Sequence, residues 1–354
     1  MKKYAFVSAV AGMLLMAACA PAAQEAPGQA EQPQGREMNI LMWEAYIPQD
    51  IIDEFTEQTG IQVNQSFFLT NEDMFSMLQV QRGVYDVTFA SDYMVQTMIQ
   101  HGGLLQQLNK DNIPNIVNID PLFRGSYYDP DDLYSVPYAA AYALLVYDTE
   151  RVPFEINSYA DLWSDGLENS IVLLESARDV IGMVLKSLGE SFNETDDEVL
   201  DVAEARLMEL WPNVFGFTGA LPSDVMINGD ATVGYMFGAQ VADVLDAIPT
   251  ARYVFPQEGM ALYVDNLLIV EDAPNLSEAE EFLNFVLDAQ VSARITETIR
   301  FMGTNQAAHA YISPETLNNR LIFLPEEELA NLEQVMPIGA ANVRFDEIWT
   351  RFRS

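Results

Sequence analysis

The sequence has little cysteine and little histidine, and it lacks the common catalytic motifs. Cys19 is the only cysteine in 354 residues, so no disulfide can form within the chain. The two histidines, His101 and His309, stand in no metal-binding spacing. The G-x-S-x-G, Walker and G-x-G-x-x-G patterns are also missing. These absences argue against an enzyme, and the sequence predicts neither catalytic residues nor a cofactor.

Basic residues are scarce as well. Lys and Arg number 17 against 53 Asp and Glu, which gives a formal net charge of −36. This charge argues against nucleic acid and anionic membrane surfaces as partners, because both would repel the chain. It favours a cationic partner, which the field would attract. An adaptation of the surface to salt or solubility explains the same charge, so charge alone does not choose between the two.

Long apolar runs are absent after residue 20, so no later segment is predicted to cross a membrane. The chain opens with a short basic and then apolar leader that ends in "MAAC", which resembles the lipobox of bacterial lipoproteins. We expect residues 1–18 to be a lipoprotein signal peptide, Cys19 to carry lipid, and residues 19–37 to be a flexible tether. The expected location is the periplasm or the extracytoplasmic face, with lipid as the only membrane contact. An ordinary cleaved signal peptide with an unrelated cysteine is the alternative.

From Met38 onward, segments typical of strands alternate with segments typical of helices. Ile51, Ile52 and Phe55 share one face of the first helix, and Gly60 is predicted to end it. The β-α-β-α-β-α order predicts an open, mostly parallel sheet with helices on both faces. The predicted caps are Asn71 for the second helix and Ser91-Asp92 for the third. Later in the chain the pattern continues with the predicted strands "SIVLLES" and "ATVGYMF". The later predicted helices are "RDVIGMVLKSLG", "AQVADVLDAI" and "NLSEAEEFLNFVLDAQVSARITETI", the last as one helix or a pair.

The folded part exceeds the roughly 250–300 residues at which a single core stops growing, so two lobes are expected. "YSVPYAAAYALLVYDTE" and "GMALYVDNLLIV" are longer than one strand needs and are predicted to pass between the lobes. This α/β arrangement resembles the two-lobed periplasmic-binding-protein fold (type II-like). Each lobe of that fold is a mostly parallel sheet flanked by helices, with the ligand cleft between the lobes. The predicted first lobe comprises residues 38–142 and 266–308, and the second comprises residues 143–265 and 309–354.

Aromatic and acidic residues collect where the predicted strands end. In open α/β sheets, ligands bind outside the carboxyl ends of strands, so these junctions are candidate binding positions. Aromatic faces and carboxylates together suit an elongated organic cation, at roughly 0.5–2 kcal/mol per cation–π contact. Asp265 is the sharpest candidate, because a lone charge inside an apolar strand is costly without a partner. The junction residues are Trp43, Glu44, Tyr46, Ser91, Asp92, Tyr93, Glu175, Ser176, Arg178, Asp179, Phe237, Gln240, Tyr263 and Asp265.

Each group of candidates also has a structural explanation. The sequence leaves open sheet-end packing for Trp43 and Tyr46, helix capping for Ser91 and Asp92, and a local ion pair between Arg178 and Asp179.

Taken in order, these residues resemble the spermidine/putrescine-binding proteins of polyamine ABC transporters. The resemblance covers nearly the whole mature chain and implies an extracytoplasmic protein that captures putrescine, spermidine or both. It further implies delivery of the ligand to an ABC transporter permease, and we expect a monomer. The stretches that carry it are "WEAYIPQDIIDEFTEQTGIQV", "YDVTFASDYMV", "YSVPY", "ADLW", "SARDVIGMVLKSLG", "GYMFGAQVA", "YVDNLLI" and "IGAA".

The resemblance also implies roles for single residues. Asp179 and Asp265 match carboxylates that bind amine nitrogens, and Ser91 matches a serine of the cleft. Gln334 matches a polar contact from the C-terminal segment. The family usually has Trp at the last two positions of its aromatic wall, which here comprises Trp43, Tyr46, Tyr93, Phe237 and Tyr263.

Two departures from the family concern ligand preference. Where the family carries an acid two residues after the first Trp, this chain has Ala45, with Glu44 one position earlier. Where spermidine-preferring members have an Asp three residues before the second-lobe acid, this chain has Ser176. Glu44, Asp92 or Glu175 would have to replace these acids. The sequence therefore does not choose between putrescine and spermidine.

Binding of another cationic or metal solute, such as a quaternary amine or ferric iron, is the alternative function. Tyr127 and Tyr128 precede the acidic stretch "DPDD", which superficially resembles a set of iron ligands. This stretch lacks the EF-hand spacing and its turn glycine, so we predict a solvated loop. Paired carboxylates would also serve a glycosidase, but acids and aromatics spread over two lobes favour a clamp around a ligand.

Overall fold

The computed structural model describes residues 35–218 and 221–354. The signal peptide predicted for residues 1–18 and the lipidation predicted at Cys19 lie outside this part of the chain. Within it, no helix combines the length and the apolar character needed to cross a bilayer.

Strands and helices alternate along the described chain. The strands are β1 (Glu37–Met42), β2 (Gln62–Phe67), β3 (Val87–Ser91), β4 (Ser135–Asp148), β5 (Ile171–Leu174), β6 (Val214–Thr218), β7 (Val233–Phe237), β8 (Ala251–Val254), β9 (Met260–Ile269), β10 (Met302–Gly303) and β11 (Leu332–Gln334). The α-helices are α1 (Gln49–Thr59), α2 (Asn71–Val80), α3 (Asp92–His101), α4 (Ala177–Ser187), α5 (Asp197–Leu210), α6 (Pro222–Ile227), α7 (Gly238–Ala247), α8 (Leu276–Val286), α9 (Ala289–Ile299), α10 (Pro314–Leu317), α11 (Glu326–Leu329) and α12 (Asn342–Phe352). Short 3-10 helices span Lys110–Asn112, Pro114–Asn118, Pro121–Phe123, Tyr159–Trp163, Trp211–Asn213, Gln306–Ala310 and Gly339–Ala341.

Local sequence signals account for several helix boundaries. Helix α1 buries Ile51, Ile52 and Phe55, and it ends at Gly60 with φ 75°, a left-handed conformation that glycine adopts without strain. These predictions are confirmed. The long apolar segment after residue 275 forms two helices, because the side chain of Asp288 caps α9 two residues after α8 ends.

The strands form one continuous sheet in which two long strands run through the centre. Its order is β2-β1-β3-β9-β4-β7-β5-β6. In addition, β8 and β10 pair with β4, and β11 pairs with β9. The outer strands pair in parallel, as predicted. The central strands do not: β9 is antiparallel to both of its neighbours, β3 and β4, and β4 is also antiparallel to β7. The 14 residues of β4 pair with β9 through their first half and with β7 and β8 through their second. The same strand therefore serves both ends of the sheet.

The buried side chains form two large clusters that the central strands connect. The first core takes residues of β1 to β3, α1, α3, α8 and α9, and it includes β4 as far as Ala140. The second core begins on β4 at Tyr142 and takes residues of β5, β7, α4, α5, α7 and α12. A small third cluster contains Ala141 of β4, Ala261 and Tyr263 of β9, Phe192 and Val335. Because β4 and β9 run from one large core to the other, this cluster marks the boundary between them.

The approach of Phe192 to helix α4 requires a glycine. A Cβ atom on Gly182 would overlap the buried Phe192 ring, whereas a Cβ on Gly216 of β6 would meet no atom within 4 Å. We expect Gly182→Ala to lower the free energy of unfolding by about 1–2 kcal/mol, since overpacking outweighs the gain in helix propensity. Urea unfolding measures the change, with Gly216→Ala as the matched control. Equal midpoints for Gly182→Ala and the parent would contradict close packing of Phe192 against α4.

Candidate functional site

Asp265 lies on β9 at the boundary between the two cores and is only 7% exposed. Its Oδ2 accepts a hydrogen bond from the Tyr46 hydroxyl at 2.5 Å, and its Oδ1 accepts one from the Ser91 hydroxyl at 2.6 Å. Antiparallel pairing of β3 with β9 places Ser91 opposite Asp265. Tyr46 reaches the same carboxyl from the loop between β1 and α1. The structure thus brings two predicted site residues, from two other segments, onto the carboxyl group of a third.

Helix capping does not explain Ser91. It occupies the N-cap position of α3, but its side chain caps no backbone N–H and bonds to Asp265 instead. Asn71, the predicted cap of α2, is the first residue of that helix, and Thr70 is the cap. The Asn71 amide instead donates to the Ser91 hydroxyl at 3.1 Å and accepts from the Ser91 N–H. The capping prediction is wrong for Asn71, whereas Ser91 stands at the predicted cap position of α3 without capping it through its side chain. Both polar side chains bond to other residues of the site instead.

Asp179 is a second buried carboxyl, in the first turn of α4. Its Oδ1 accepts a hydrogen bond from the Tyr263 hydroxyl at 2.9 Å, and its backbone N–H donates to the Ser176 hydroxyl at 3.3 Å. Ser176 caps α4 and so orients the turn that carries Asp179. Tyr263 lies two residues before Asp265 on β9, and alternate residues of a strand share a face. The two carboxyls are therefore linked to the same side of the same strand.

Arg178 does not form the local ion pair with Asp179 that the sequence left open. Its Nη2 donates to the Asn193 Oδ1 and to the Met336 carbonyl, each at 3.1 Å, and its guanidinium lies over the Phe345 ring. Arg178 is used in packing within the second core, so it leaves Asp179 without a bonded cation.

Asp92 is a third carboxyl and is fully buried at the start of α3. It is the first helical residue rather than a cap. Its Oδ1 accepts from the Tyr93 N–H at 2.9 Å, and its Oδ2 accepts from the Gln334 amide at 3.3 Å. Gln334 lies on β11, and the hydrogen bond joins two residues that are 242 positions apart. The structure therefore brings Gln334 beside Asp92, and the binding role that the family resemblance implies for Gln334 stays a prediction.

The predicted aromatic residues meet in a chain of edge contacts between the carboxyls. The Tyr263 ring lies 6.5 Å from Tyr93 and 6.3 Å from Phe237, measured between centroids. Phe301, which the sequence reasoning did not single out, lies 6.4 Å from Phe237 and 6.0 Å from Tyr46. These rings combine apolar faces with hydroxyl donors, which suits a ligand with both methylene and ammonium groups.

The segment between β1 and α1 is divided between packing and the site. Trp43 is half-buried, with ring centroids 5.2 Å from Tyr46 and 4.7 Å from Phe68, so part of its surface belongs to the first core. Glu44 is exposed and forms no hydrogen bond or ion pair with the described residues. Ala45 has φ 58°, a left-handed conformation that costs a residue with a Cβ roughly 1–2 kcal/mol. The turn therefore points Tyr46 inward and leaves Glu44 in water.

The three buried carboxyls share one electrostatic feature. Burial raises the pKa of Asp179 and Asp265 and raises the pKa of Asp92 well above its usual range. Hydrogen bonds from Tyr263 to Asp179, and from Ser91 and Tyr46 to Asp265, oppose these shifts without cancelling them. Within residues 35–218 and 221–354, no Lys or Arg lies in ion-pair distance of any of the three. Such a set favours a ligand that brings positive charge with it.

Several residues at the site were not predicted from the sequence. Glu72 accepts a hydrogen bond from the Tyr93 hydroxyl at 3.0 Å, and Tyr138 donates to the Tyr46 carbonyl at 2.7 Å. Glu72 follows the carboxyl end of β2, where the strand-end rule would have found it. Tyr138 lies within a long apolar stretch and Phe301 follows Arg300 after a predicted helix, so neither position carries a comparable signal.

The acidic stretch after Tyr128 is ordered by its own backbone. Asp129 is buried, and its carboxyl accepts from the N–H groups of Leu133, Tyr134 and Ser135. The predicted solvated loop is therefore wrong at Asp129, which is a structural acceptor. Among the described residues, no group of three or more His, Cys, Asp and Glu side chains is arranged to hold a metal ion.

Comparison with known proteins assigns the chain to a family. Residues 50–320 match the model of the bacterial extracellular solute-binding proteins. The chain belongs to this family. The spermidine/putrescine-binding periplasmic protein of Escherichia coli is 31% identical over 314 residues, which cover 88% of this solute-binding protein and 90% of the relative.

Solved structures agree with the fold. The spermidine/putrescine substrate-binding protein PotD of Streptococcus pneumoniae superposes with a TM-score of 0.77 at 28% identity, covering 90% of this chain and 98% of that one. The TpPotD lipoprotein of Treponema pallidum gives 0.80 at 26% identity, covering 89% and 99%. The predicted α/β, two-lobed periplasmic-binding-protein fold is confirmed. The relatives are transport proteins rather than enzymes.

Buried carboxyls without cations should weaken the fold of this solute-binding protein. Above the raised pKa of Asp92 the group is ionised in both the folded and the unfolded state, and the full cost of its burial is present. We expect Asp92→Asn to raise the melting temperature at pH 7 by a few degrees in the absence of added ligand. The difference should shrink progressively as the pH falls below that raised pKa, and it should vanish below the unfolded pKa of Asp, about 4, where the parent carboxyl is neutral in both states.

Asp129→Asn is the matched control for this experiment. It places an N–H₂ group against backbone donors, so it should lower the melting temperature at the same pH. A fall in stability for Asp92→Asn as large as that for Asp129→Asn would show that Asp92 is also a structural acceptor.

Proposed function

We propose that this solute-binding protein captures a polyamine, putrescine or spermidine, outside the cytoplasm and delivers it to an ABC transporter permease. The observation that carries the proposal is the set of three buried carboxyls, Asp92, Asp179 and Asp265, which have hydroxyl and amide donors but form no ion pair with a Lys or Arg of the described residues. The names of the relatives from Escherichia coli and Streptococcus pneumoniae support the same ligand class.

The proposed binding mode divides the ligand between two kinds of contact. Ammonium groups pair with Asp265, two residues after Tyr263 on β9, and with Asp179 of α4, which accepts a hydrogen bond from the Tyr263 hydroxyl. The methylene chain lies against aromatic faces, where cation–π contacts contribute roughly 0.5–2 kcal/mol each. The proposed site comprises Trp43, Tyr46, Ser91, Asp92, Tyr93, Ser176, Asp179, Phe237, Tyr263, Asp265 and Gln334, and Glu44 joins it only if the loop after β1 rearranges.

The proposed transport cycle depends on two lobes and an anchor. We place the lobes at residues 38–142 with 266–308 and at 143–265 with 309–354, a division that the two large cores support. Lipid on Cys19 would hold the monomer beside the permease. Closing of the lobes around ligand would present the permease with a surface that differs from the open form.

Calorimetric titration tests the ligand class. We expect putrescine, cadaverine, spermidine or spermine to bind with a Kd of about 1 μM or lower. Betaine, choline and ferric citrate are the comparison ligands, because they represent quaternary amines and ferric iron. Binding of one of these three, with no heat from any polyamine, would overturn the proposal.

Substitution of Asp265 tests its role in that site. Asp265→Asn removes a charge-assisted hydrogen bond, which is equivalent to roughly 1.5–3 kcal/mol, and should weaken polyamine binding about 10- to 100-fold. Glu44→Gln is the control because Glu44 is exposed and has no hydrogen bond or ion pair to the part of the chain that the structure describes; it should change the Kd less than about twofold. A larger effect at Glu44 than at Asp265 would mean that the acid one position before Ala45 binds the amine.

The pH dependence of binding follows from the same carboxyls. Burial raises the pKa of Asp92, Asp179 and Asp265, whereas the ligand amines stay protonated well above pH 8. A cationic ligand binds the ionised carboxyls, so affinity should increase as the pH rises from about 5 to 8 and binding should release protons. Titration in buffers with different ionisation enthalpies measures that release. Affinity that is constant over this range, with no proton release, would contradict the assignment.

A further inference from the structure

Arg300 forms an ion-pair cluster on the surface beside the aromatic chain of the site. Its Nη1 lies 3.3 Å from an Asp243 carboxylate oxygen and 2.8 Å from an Asp246 carboxylate oxygen, both on α7. The three side chains are 36%, 50% and 67% exposed. Arg300 follows the last residue of α9 and has φ 57°, so the backbone accepts a strained left-handed conformation at this point.

The cluster connects the two lobes. Helix α9 packs in the first core through Val291 and Ile295, whereas α7 packs in the second core through Val241 and Val244. The bonds from Arg300 to Asp243 and Asp246 therefore exist only when the two cores are close together. Arg294 on the same helix provides a contrast, since it pairs with Asp50 and Glu54 of α1, which belongs to the first core as well.

The residue after Arg300 belongs to the candidate site. The Phe301 ring lies 6.0 Å from Tyr46 of the first lobe and 6.4 Å from Phe237, at the start of α7. The ion pairs of Arg300 thus fix the backbone next to a ring that contacts aromatic residues of both lobes.

We propose that Arg300, with Asp243 and Asp246, is an electrostatic latch that favours the closed form and slows ligand release without contacting the ligand. Exposed ion pairs change an equilibrium by only about two- to fivefold, which is too little to decide whether the chain folds. The same factor is measurable in a closed–open equilibrium, because every bond of the latch is lost on opening. The ligand part of this inference rests on the proposed function.

Hydrogen exchange on the full chain tests the latch without ligand. Segments 90–94 and 333–337 meet across the cleft through Asp92 and Gln334, so their amides report opening. Arg300→Gln should speed their exchange about two- to fivefold, and the matched control Arg294→Gln should leave it unchanged. Both variants replace an exposed Arg that bonds to two carboxylates, but only Arg300 connects the two lobes. Equal exchange in the two variants would overturn the latch.

The rate of polyamine release is the second measurement. Arg300→Gln should raise the dissociation rate constant about two- to fivefold in stopped-flow fluorescence of the tryptophans. Asp243→Asn combined with Asp246→Asn should reproduce the effect from the other lobe. In about 1 M salt, where the screening length is about 3 Å, the variants and the parent should release ligand at equal rates. If no polyamine binds, the proposed function fails, while the exchange experiment still decides the latch.

Discussion

The antiparallel pairing of β4 with β9 is the constraint on which the rest of the structure depends. These two strands run through both large cores, so their hydrogen bonds hold the lobes in one sheet. The register shifts between Pro137 and Ala139, opposite Asn266 and Asp265, and this bulge leaves Tyr138 unpaired in the ladder. Proline tolerates such a position because it has no N–H to donate. The Tyr138 hydroxyl donates a hydrogen bond to the Tyr46 carbonyl and so supports the loop whose Tyr46 side chain reaches Asp265.

The register of β9 also decides the composition of the site. Tyr263 and Asp265 share one face of the strand. Tyr263 donates a hydrogen bond to a carboxyl group of α4, and Asp265 accepts hydrogen bonds from β3 and from the loop after β1. A shift of one residue would turn both side chains to the opposite face. The site therefore depends on a backbone pairing rather than on the local sequence around either acid.

Stability and binding oppose each other in this arrangement. A buried carboxyl without a cation costs free energy in the folded chain, and the donors around Asp265 recover only part of it. A cationic ligand would supply the missing positive charge. The carboxyls that lower the stability of the free protein are therefore the ones that would bind this ligand most tightly. The long β4, with all 14 residues buried, and the two apolar cores provide the stability that this requires.

The sequence by itself determined the α/β order, the crossing strands and most of the candidate residues, because periodicity, glycine positions and strand ends are local properties. Asp265 could be identified from one strand, since a charge in an apolar run is costly wherever that run folds. Only the tertiary structure decided which partners these residues have. Asn71 and Ser91 carry ordinary capping signals, yet they bond to each other and to Asp265 because β3, β9 and α2 meet there. Glu44 carries its charge one position before the acid that the family resemblance implies, and it remains in water because the left-handed turn at Ala45 sends Tyr46 inward. Long-range register and backbone direction decided these outcomes, and neither is encoded in a short stretch of residues.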